Sequence, residues 1–304
     1  MAKILESDVP VEAQREVKTL EELIAREKNV YWSSKKWCGE ILTRFVQKYG
    51  NPNWGSKKDI PFAQKIMKDY LGPILEITIK ILIKSRVQFV SERFRYFLTR
   101  YCYFALRNDA YFPLLNKHLE GLLLDVFIHT AALTLTDLYY WETDPVEFVH
   151  KQADYTSMAT DLRSQSLEMI GLICKKNAPD KIPYLYKFMK FAQDVLDSGA
   201  NPRTNQKADE RLIESILNCI AFLHDQIRED YKVSEKMEIF LAKYVVPCFE
   251  SQSGLFRAVA CKLFGVYGQR QFKIQENVIR AAEGISRCLT DKELPVRVYV
   301  NFFL

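Results

Sequence analysis

The sequence contains little glycine and little proline. Each occurs 11 times among 304 residues, and glycine in particular falls below its usual share of a globular protein. Because tight hairpin turns depend on these residues, a sheet of many short strands is disfavoured. The composition therefore favours helices before any pattern is considered.

The seven cysteines show no metal-binding or redox spacing. No two of them are arranged as Cys-x-x-Cys. Their number is odd and they lie far apart, mostly inside apolar segments, which is typical of reduced cysteines in a core. We therefore predict no metal site and no cofactor. The cysteines are Cys38, Cys102, Cys174, Cys219, Cys248, Cys261 and Cys288.

The sequence also lacks a long uninterrupted apolar run. Its first 16 residues contain no segment of signal-peptide length. Elsewhere the longest apolar stretches are interrupted by Lys, Arg or Glu within about 10 residues. These features predict a soluble intracellular protein that does not insert into a membrane.

No large excess of charge of either sign is present. The 43 basic and 38 acidic residues give a formal net charge of +5, spread along the chain. Pairs such as Lys35-Lys36, Lys57-Lys58 and Lys175-Lys176 could contact phosphates, but such pairs are more often solvated helix faces. We therefore predict no direct binding of nucleic acid.

Catalytic motifs are absent from the sequence. It contains no GxxxxGK phosphate loop, no GxGxxG, no HExxH and no GxSxG. The four histidines have no obvious nucleophile or metal-ligand partner beside them and are interpreted as satisfied or solvated side chains. We therefore expect no catalytic residues and no enzyme activity. The histidines are His118, His129, His150 and His224.

Apolar residues recur with the period of an α-helix along most of the chain. This spacing places them on one face of each helix, and each such face is expected to be buried. No alternating pattern of the strand type is found. The first clear stripe is Phe62, Ile66, Tyr70, Ile74, Ile77 and Ile81, and the last is Val278, Ala282, Ile285 and Leu289.

Turn-forming segments divide these stripes into helix pairs. The predicted fold is all-α, a HEAT-repeat α-solenoid in which antiparallel helix pairs form a right-handed superhelical stack. Residues 1–304 are expected to form one continuous array of about six or seven repeats, truncated at the C-terminus within an uncapped helix. The pairs are predicted over residues 62–107, 112–176, 181–228, 234–269 and 275 onward, preceded by a helix from Tyr31 to Tyr49.

A repeat signal lies near the C-terminus. The segment 256–260, Phe-Arg-Ala-Val-Ala, is followed forty residues later by 296–300, Val-Arg-Val-Tyr-Val, and forty residues is a HEAT period. We predict that Arg257 and Arg297 lie near the starts of successive second helices. Asp291 is expected to cap a helix start, and an arginine to reach the acid of the neighbouring repeat, so that the turns stack.

One predicted helix pair is interrupted by residues 133–156, which we call the insertion. It is longer than a HEAT turn needs, and it is expected to project from one edge of the stack. Asp144 is placed to cap a short helix that begins at Pro145, while Trp141 and Phe148 are expected to pack the insertion against the stack. Its four acids are expected to be exposed and to form a small negative patch. They are Asp137, Glu142, Asp144 and Glu147.

Three regions of the sequence resemble one known family. Residues 141–149, Trp-Glu-Thr-Asp-Pro-Val-Glu-Phe-Val, are similar to the Trp-x-x-Asp-Pro-x-Glu-x-(Ile/Val) segment of the importin-β (β-karyopherin) family, in particular its importin-seven and importin-eight branch. Residues 35–52 resemble the Lys-Lys-Trp helix and Tyr-Gly-x-Pro stop of that branch. The order is collinear from Tyr31 to Leu304. Residues 201–203, 245–249, 257–261 and 287–291 are similar to its central repeats.

The resemblance implies an internal segment of a nuclear transport receptor. Such receptors carry protein cargo, often basic proteins such as ribosomal proteins and histones, past nuclear pore proteins, and release it when Ran-GTP binds. This implies shuttling between cytoplasm and nucleus. In that family an insertion in a central repeat contacts Ran, and the matching residues here are Trp141, Glu142, Asp144 and Glu147.

Two alternatives stay open from the sequence. A static HEAT-repeat scaffold subunit of a multiprotein complex would show the same periodicity, and the resemblance extends to the exporter of importin-α. The acidic insertion favours a transport receptor, because a scaffold has no general need for it. No cargo-binding residue is indicated.

Overall fold

The computed structural model describes residues 1–15, 17, 19–51, 53, 56–153, 161–268 and 272–303. These residues are predominantly helical and contain no β-strand, only two isolated bridges in loops. The all-α HEAT-repeat fold class is therefore confirmed. Residues 154–156 of the insertion, Pro52 of the Tyr-Gly-x-Pro stop and Leu304 lie outside the described residues.

The α-helices are numbered in chain order. Wider π-helical turns continue three of them at Met67–Leu71, Leu122–Phe127 and Leu241–Val245, and a 3-10 turn covers Val246–Glu250. The helices are α1 (Ala2–Glu6), α2 (Leu20–Glu27), α3 (Val30–Tyr49), α4 (Ile60–Ile66), α5 (Gly72–Lys84), α6 (Glu92–Leu106), α7 (Phe112–Gly121), α8 (Ile128–Thr130), α9 (Leu135–Thr143), α10 (Pro145–Ala153), α11 (Leu162–Cys174), α12 (Tyr184–Ser198), α13 (Glu210–Phe222), α14 (His224–Glu229), α15 (Tyr231–Ser234), α16 (Met237–Phe240), α17 (Gly254–Tyr267), α18 (Gln275–Leu289) and α19 (Leu294–Phe303).

The chain divides into two compact units. Unit 1 comprises residues 1–130 and 159–184, and unit 2 comprises residues 131–158 and 185–304. The insertion therefore belongs to unit 2. A single continuous array of six or seven repeats and its right-handed superhelix stay predictions.

In unit 1 the second helices of successive pairs lie side by side. Helix α6 packs against α3, α5 and α11, and its apolar side chains Phe94 and Leu98 are fully buried. The hydroxyl of Tyr101 in α6 donates to the carbonyl oxygen of Leu71 at 3.0 Å, which ties the second helix to the first. This matches the pair predicted over residues 62–107.

Unit 2 repeats this arrangement. Helix α17 packs against α13 on one side and α19 on the other. The first helices of these pairs are α12, the helical segment 224–250 and α18. Gly199, with φ +66°, ends α12 in the left-handed region that glycine adopts without strain.

The predicted burial of the first stripe is wrong at Phe62 and Tyr70, which are 47% and 53% exposed, whereas Leu71 and Leu75 of the same helical segment are buried.

The predicted burial of the last stripe is also wrong. Val278 and Leu289 are 43% and 45% exposed, whereas α18 buries Ala281, Gly284 and Cys288 on a neighbouring face. The reason is close packing: a Cβ added at Gly284 would lie 2.4 Å from the Phe249 ring. The small residues therefore allow α18 to approach the preceding segment, and the larger side chains remain outside.

The interpretation of Lys35 as a solvated residue is also wrong. Lys35 is only 5% exposed, and its Nζ donates to the carbonyl oxygens of Ile4 and Leu5 at 3.0 and 2.5 Å. It thereby satisfies the carbonyl groups at the end of α1. A sequence pattern of two adjacent lysines could not reveal this contact.

The cysteines agree with a reduced core. All seven are free, and each is buried except Cys248, which is half-buried. Burial raises the pKa of the Cys102 thiol to about 12 and that of the Cys248 thiol to about 11. These thiols therefore stay protonated near neutral pH.

One described helical stretch, Phe112–Thr143, is long and apolar enough by length and composition to cross a membrane. Of its most apolar window, 67% is buried inside the structure. Such burial is typical of the core helices of a folded protein.

Candidate functional site

The described part of the insertion is a short helical hairpin, α9 followed by α10. Thr134 and Asp137 form a capping box: the Asp137 N–H donates to Thr134 Oγ1 at 3.1 Å, and the Thr134 N–H donates to Asp137 Oδ2 at 2.8 Å. Arg211 of α13 donates to the carbonyl oxygen of Leu133 at 2.8 Å. The start of the insertion is thus fixed.

The predicted exposure of Asp137 is wrong. Asp137 is only 3% exposed, and its Oδ1 accepts from Lys151 Nζ of α10 at 2.6 Å. Burial raises the pKa of this carboxyl, but the Lys151 ammonium and the hydrogen bonds from Thr134 outweigh burial, so the pKa lies below its ordinary value. Asp137 therefore joins the two helices of the hairpin instead of facing a partner.

The other three acids of the insertion are exposed. They are Glu142, Asp144 and Glu147. Asp144 Oδ1 accepts from the Glu147 N–H at 3.0 Å, which is the cap expected at the start of α10. These carboxylates form the negative patch of the insertion.

The insertion packs against neighbouring helices of unit 2. Its apolar side packs against α17 and α19, where Leu133, Phe148 and Leu255 form a buried cluster with Trp141 and Tyr299 partly buried against it. The Trp141 and Phe148 rings meet edge to face at 4.9 Å. Burying these aromatic rings stabilises the docked hairpin, as the sequence predicts for Trp141 and Phe148.

A hydrogen bond joins the insertion to the α18–α19 turn. Trp141 Nε1 donates to Glu293 Oε2 at 2.6 Å. The other oxygen of the same carboxylate, Oε1, accepts from Arg257 Nη2 at 3.0 Å. Gly254 leaves space for Glu293, because a Cβ at this position would lie 2.2 Å from Glu293 Oε2.

Arg257 forms a two-pronged ion pair with Asp291. Its Nε lies 2.6 Å from Asp291 Oδ2 and its Nη2 lies 2.9 Å from Oδ1. The hydrogen bonds that Arg257 donates to Asp291 raise the pKa of Arg257. Burial alone would raise the pKa of Asp291. The hydrogen bonds and charge of the Arg257 guanidinium outweigh burial, so the pKa of Asp291 lies below its ordinary value and the carboxyl stays ionised.

Arg297 lies in the same position of the following pair. It is the fourth residue of α19, as Arg257 is the fourth residue of α17. Its Nη1 donates to the carbonyl oxygen of Asp291 at 2.5 Å. The residues predicted to stack neighbouring repeats are therefore brought together in one polar turn.

Sequence reasoning missed three members of this network. Glu293 carries the contact to the insertion, Lys151 pairs with the buried Asp137, and Gly254 provides the space. The only signal for Glu293 was its position two residues after Asp291 in the turn before an aligned arginine. The other two depend on contacts between segments distant in sequence.

The site has the chemistry of a binding surface. Within the described ranges, no group of three or more His, Cys, Asp and Glu side chains could hold a metal ion. Its exposed groups are three carboxylates, and exposed apolar side chains, among them Leu135 and Val146, lie on the same hairpin. Such a surface suits a partner with basic and apolar groups.

Comparisons with known proteins find relatives named importins. No protein-family model matches the sequence. The chain is 28% identical over 302 residues to the importin beta-like SAD2 homolog of Arabidopsis thaliana. The aligned region covers 99% of this chain and 28% of that protein. It is 25% identical over 275 residues to human importin-8, covering 88% of this chain and 25% of that protein.

A third relative comes from yeast. The chain is 23% identical over 291 residues to the nonsense-mediated mRNA decay protein 5 of Saccharomyces cerevisiae, covering 93% of this chain and 28% of that protein. The chain thus spans 25% to 28% of the length of these three curated relatives.

Proposed function

We propose that this chain, which belongs to the importin-β family, is a segment of a nuclear transport receptor that binds protein cargo and is regulated by Ran-GTP. The observation that carries the proposal is the exposed patch Glu142, Asp144 and Glu147 on a docked insertion between paired helices. Relatives named importins match along most of the chain and support the receptor type.

The three exposed acids are proposed to contact Ran. Carboxylates on a fixed hairpin attract a basic protein surface, and they accelerate association most strongly at low salt. Trp141 was implied as a fourth contact, but its indole N–H is already donated to Glu293. Its proposed role is therefore to hold the insertion in place.

The proposed receptor is a carrier without catalysis. Its cargo is a protein with a basic surface, and the receptor shuttles between cytoplasm and nucleus through contacts with nuclear pore proteins. The direction of import is proposed from the importins among the relatives. Export of importin-α stays an alternative, because the insertion also resembles the matching segment of the receptor that exports importin-α.

A static scaffold is the second candidate. The observation that favours it is the firm docking of the insertion on α17 and α19, since a purely structural insertion would pack in the same way. A scaffold subunit would not distinguish the nucleotide state of a GTPase. The two functions therefore differ in one measurable property.

The decisive experiment uses the full-length protein. It is immobilised and exposed to Ran loaded with GTP or GDP, and bound Ran is quantified. We expect retention of Ran-GTP and little Ran-GDP. Equal or absent retention of both forms would favour the scaffold. Residues 1–304 alone should retain little Ran-GTP, because linked contacts from several repeat groups supply the affinity.

A further inference from the structure

Glu293 contacts two parts of unit 2 that are distant in sequence. One carboxylate oxygen accepts from Trp141 of the insertion, and the other accepts from Arg257 of α17. Glu293 itself lies in the α18–α19 turn, beside Asp291. A single side chain thus joins the insertion to the polar turn that holds successive repeats together.

We infer that Glu293 acts as a latch, so that the docking of the insertion and the Arg257–Asp291 pair are energetically coupled. Its functional meaning, the control of binding at Glu142, Asp144 and Glu147, rests on the function proposed above. The coupling itself is independent of any partner. The residues of the latch are Trp141, Gly254, Arg257, Asp291 and Glu293.

The coupling follows from how the guanidinium is shared. Arg257 is only 8% exposed, and its nitrogens donate to Asp291, Glu293 and the carbonyl oxygens of Ser251 and Gln252. Removing the charge of Asp291 leaves the buried guanidinium with Glu293 as its remaining carboxylate. Glu293 is then drawn toward Arg257 and its hydrogen bond to Trp141 weakens.

The Glu293 side chain also has little room to move on the side that faces α17. Gly254 brings the backbone of α17 close to the carboxylate, since even a methyl group there would overlap both Glu293 oxygens, at 2.2 and 2.6 Å. The Trp141 ring is meanwhile held by Phe148. The Glu293 carboxylate is therefore confined to a position in which it accepts hydrogen bonds from both Trp141 and Arg257.

The latch fixes the direction of the exposed acids. When Trp141 and Phe148 are docked on α17 and α19, their hairpin presents Glu142 and Glu147 to solvent. An undocked hairpin would lose this arrangement and bind a basic protein surface less tightly, because ordering it would then oppose binding. By reciprocity, a bound basic partner stabilises the docked hairpin and the α18–α19 turn.

The test compares hydrogen exchange in variants of the full-length protein. Trp141→Phe keeps an aromatic ring but removes the donor to Glu293, and Asp291→Asn alters the turn without touching the insertion. We expect both variants to accelerate hydrogen exchange in α9 and α10 about tenfold, because each weakens or removes a hydrogen bond to a charged group. Trp37→Phe, at an exposed tryptophan of α3, is the matched control and should change nothing there.

Two outcomes would overturn the latch. Unchanged exchange of α9 and α10 in Trp141→Phe would mean that the hydrogen bond does not hold the insertion. Accelerated exchange in Trp141→Phe but wild-type exchange in Asp291→Asn would mean that the two contacts are independent. Exchange of α12 is followed in every variant, since a general loss of structure would accelerate it as well.

Binding of Ran-GTP separates the latch from the proposed function. If wild-type protein binds Ran-GTP, Asp291→Asn should weaken the affinity about fivefold, in the lower range of allosteric coupling. Unchanged affinity with accelerated exchange would overturn the proposed effect on the acids. If wild-type protein fails to bind Ran-GTP, the proposed function fails, while the exchange measurements still decide whether the latch exists.

Discussion

Arg257 and Arg297 each donate from Nη1 to the carbonyl oxygen six residues earlier, Ser251 at 2.7 Å and Asp291 at 2.5 Å. The two carbonyl groups are forty residues apart, as are the two arginines. The same local turn is therefore built twice in successive helix pairs. In the first copy the guanidinium also reaches Asp291, so that one turn is pinned to the next.

Arg257→Met should destabilise unit 2 strongly. The Arg257 and Asp291 side chains are 9% and 8% exposed, so the substitution leaves Asp291 as a buried carboxylate without its cation, at a cost of about 3–5 kcal/mol. Arg297→Met, at a half-buried site, removes a hydrogen bond worth about 1 kcal/mol. Local opening free energies of α17 and α19 from hydrogen exchange measure both. Equal effects would contradict the repeat-turn role of Arg257.

Gly284→Ala should destabilise the packing of α18. The new Cβ would lie 2.4 Å from the Phe249 ring and 2.9 Å from Phe249 Cβ, and such overpacking costs about 1–3 kcal/mol. Gly121→Ala is the matched control, because Gly121 is helical and its added Cβ would make only an ordinary 3.7 Å contact with Asp125 Oδ2, so this variant should gain up to about 1 kcal/mol. Thermal unfolding of both variants checks the opposite signs.

The hairpin of the insertion should be labile to acid. The folded-state pKa of Asp137 lies below its ordinary value of 3.8, so its contribution is complete above about pH 3.8 and is lost as the pH falls through the lower folded-state pKa. Asp137→Asn should remove this dependence from the insertion and destabilise it at neutral pH. Exchange of α9 measured between pH 5 and pH 2 tests the sign. An acid dependence as steep as in wild type would contradict it.

Neutralising the exposed acids should weaken Ran-GTP binding. In the full-length protein, Glu142→Gln, Asp144→Asn and Glu147→Gln together remove the negative patch, while Asn at position 144 keeps a capping side chain. Association should slow most at low salt, by about tenfold, because steering is electrostatic. The matched control is Glu229→Gln, Glu235→Gln and Glu276→Gln, three exposed acids elsewhere in unit 2. A lower melting temperature with unchanged binding across a salt titration would favour a purely structural role.

Periodicity predicted the positions of the helices well, because apolar residues at helical spacing depend only on the sequence of that segment. The pair predicted over residues 62–107 matches α4 to α6, and the forty-residue repeat aligned Arg257 with Arg297. It failed at Val278 and Leu289, where the packing of Gly284 on Phe249 decides which face is buried. A large apolar residue signals burial only when no smaller residue allows closer approach.

The site was predicted in its parts but not in its connections. The sequence indicated that Asp144 caps α10 and that Trp141 packs, since both depend on neighbours in the chain. The partner of Trp141 is Glu293, 152 residues away, and Asp137 is buried because Lys151 faces it across the hairpin. Contacts of this kind arise only once the helix pairs are stacked.

The buried native thiols make the separation of neighbouring helices measurable without introducing a new cysteine. Cys261 lies on α17 and Cys288 on α18, both buried in the native structure. A thiol reagent can reach these two cysteines only when the helices separate. Its rate of reaction therefore measures how often this region opens. The same reading taken with and without a bound partner would show whether binding loosens or tightens this region.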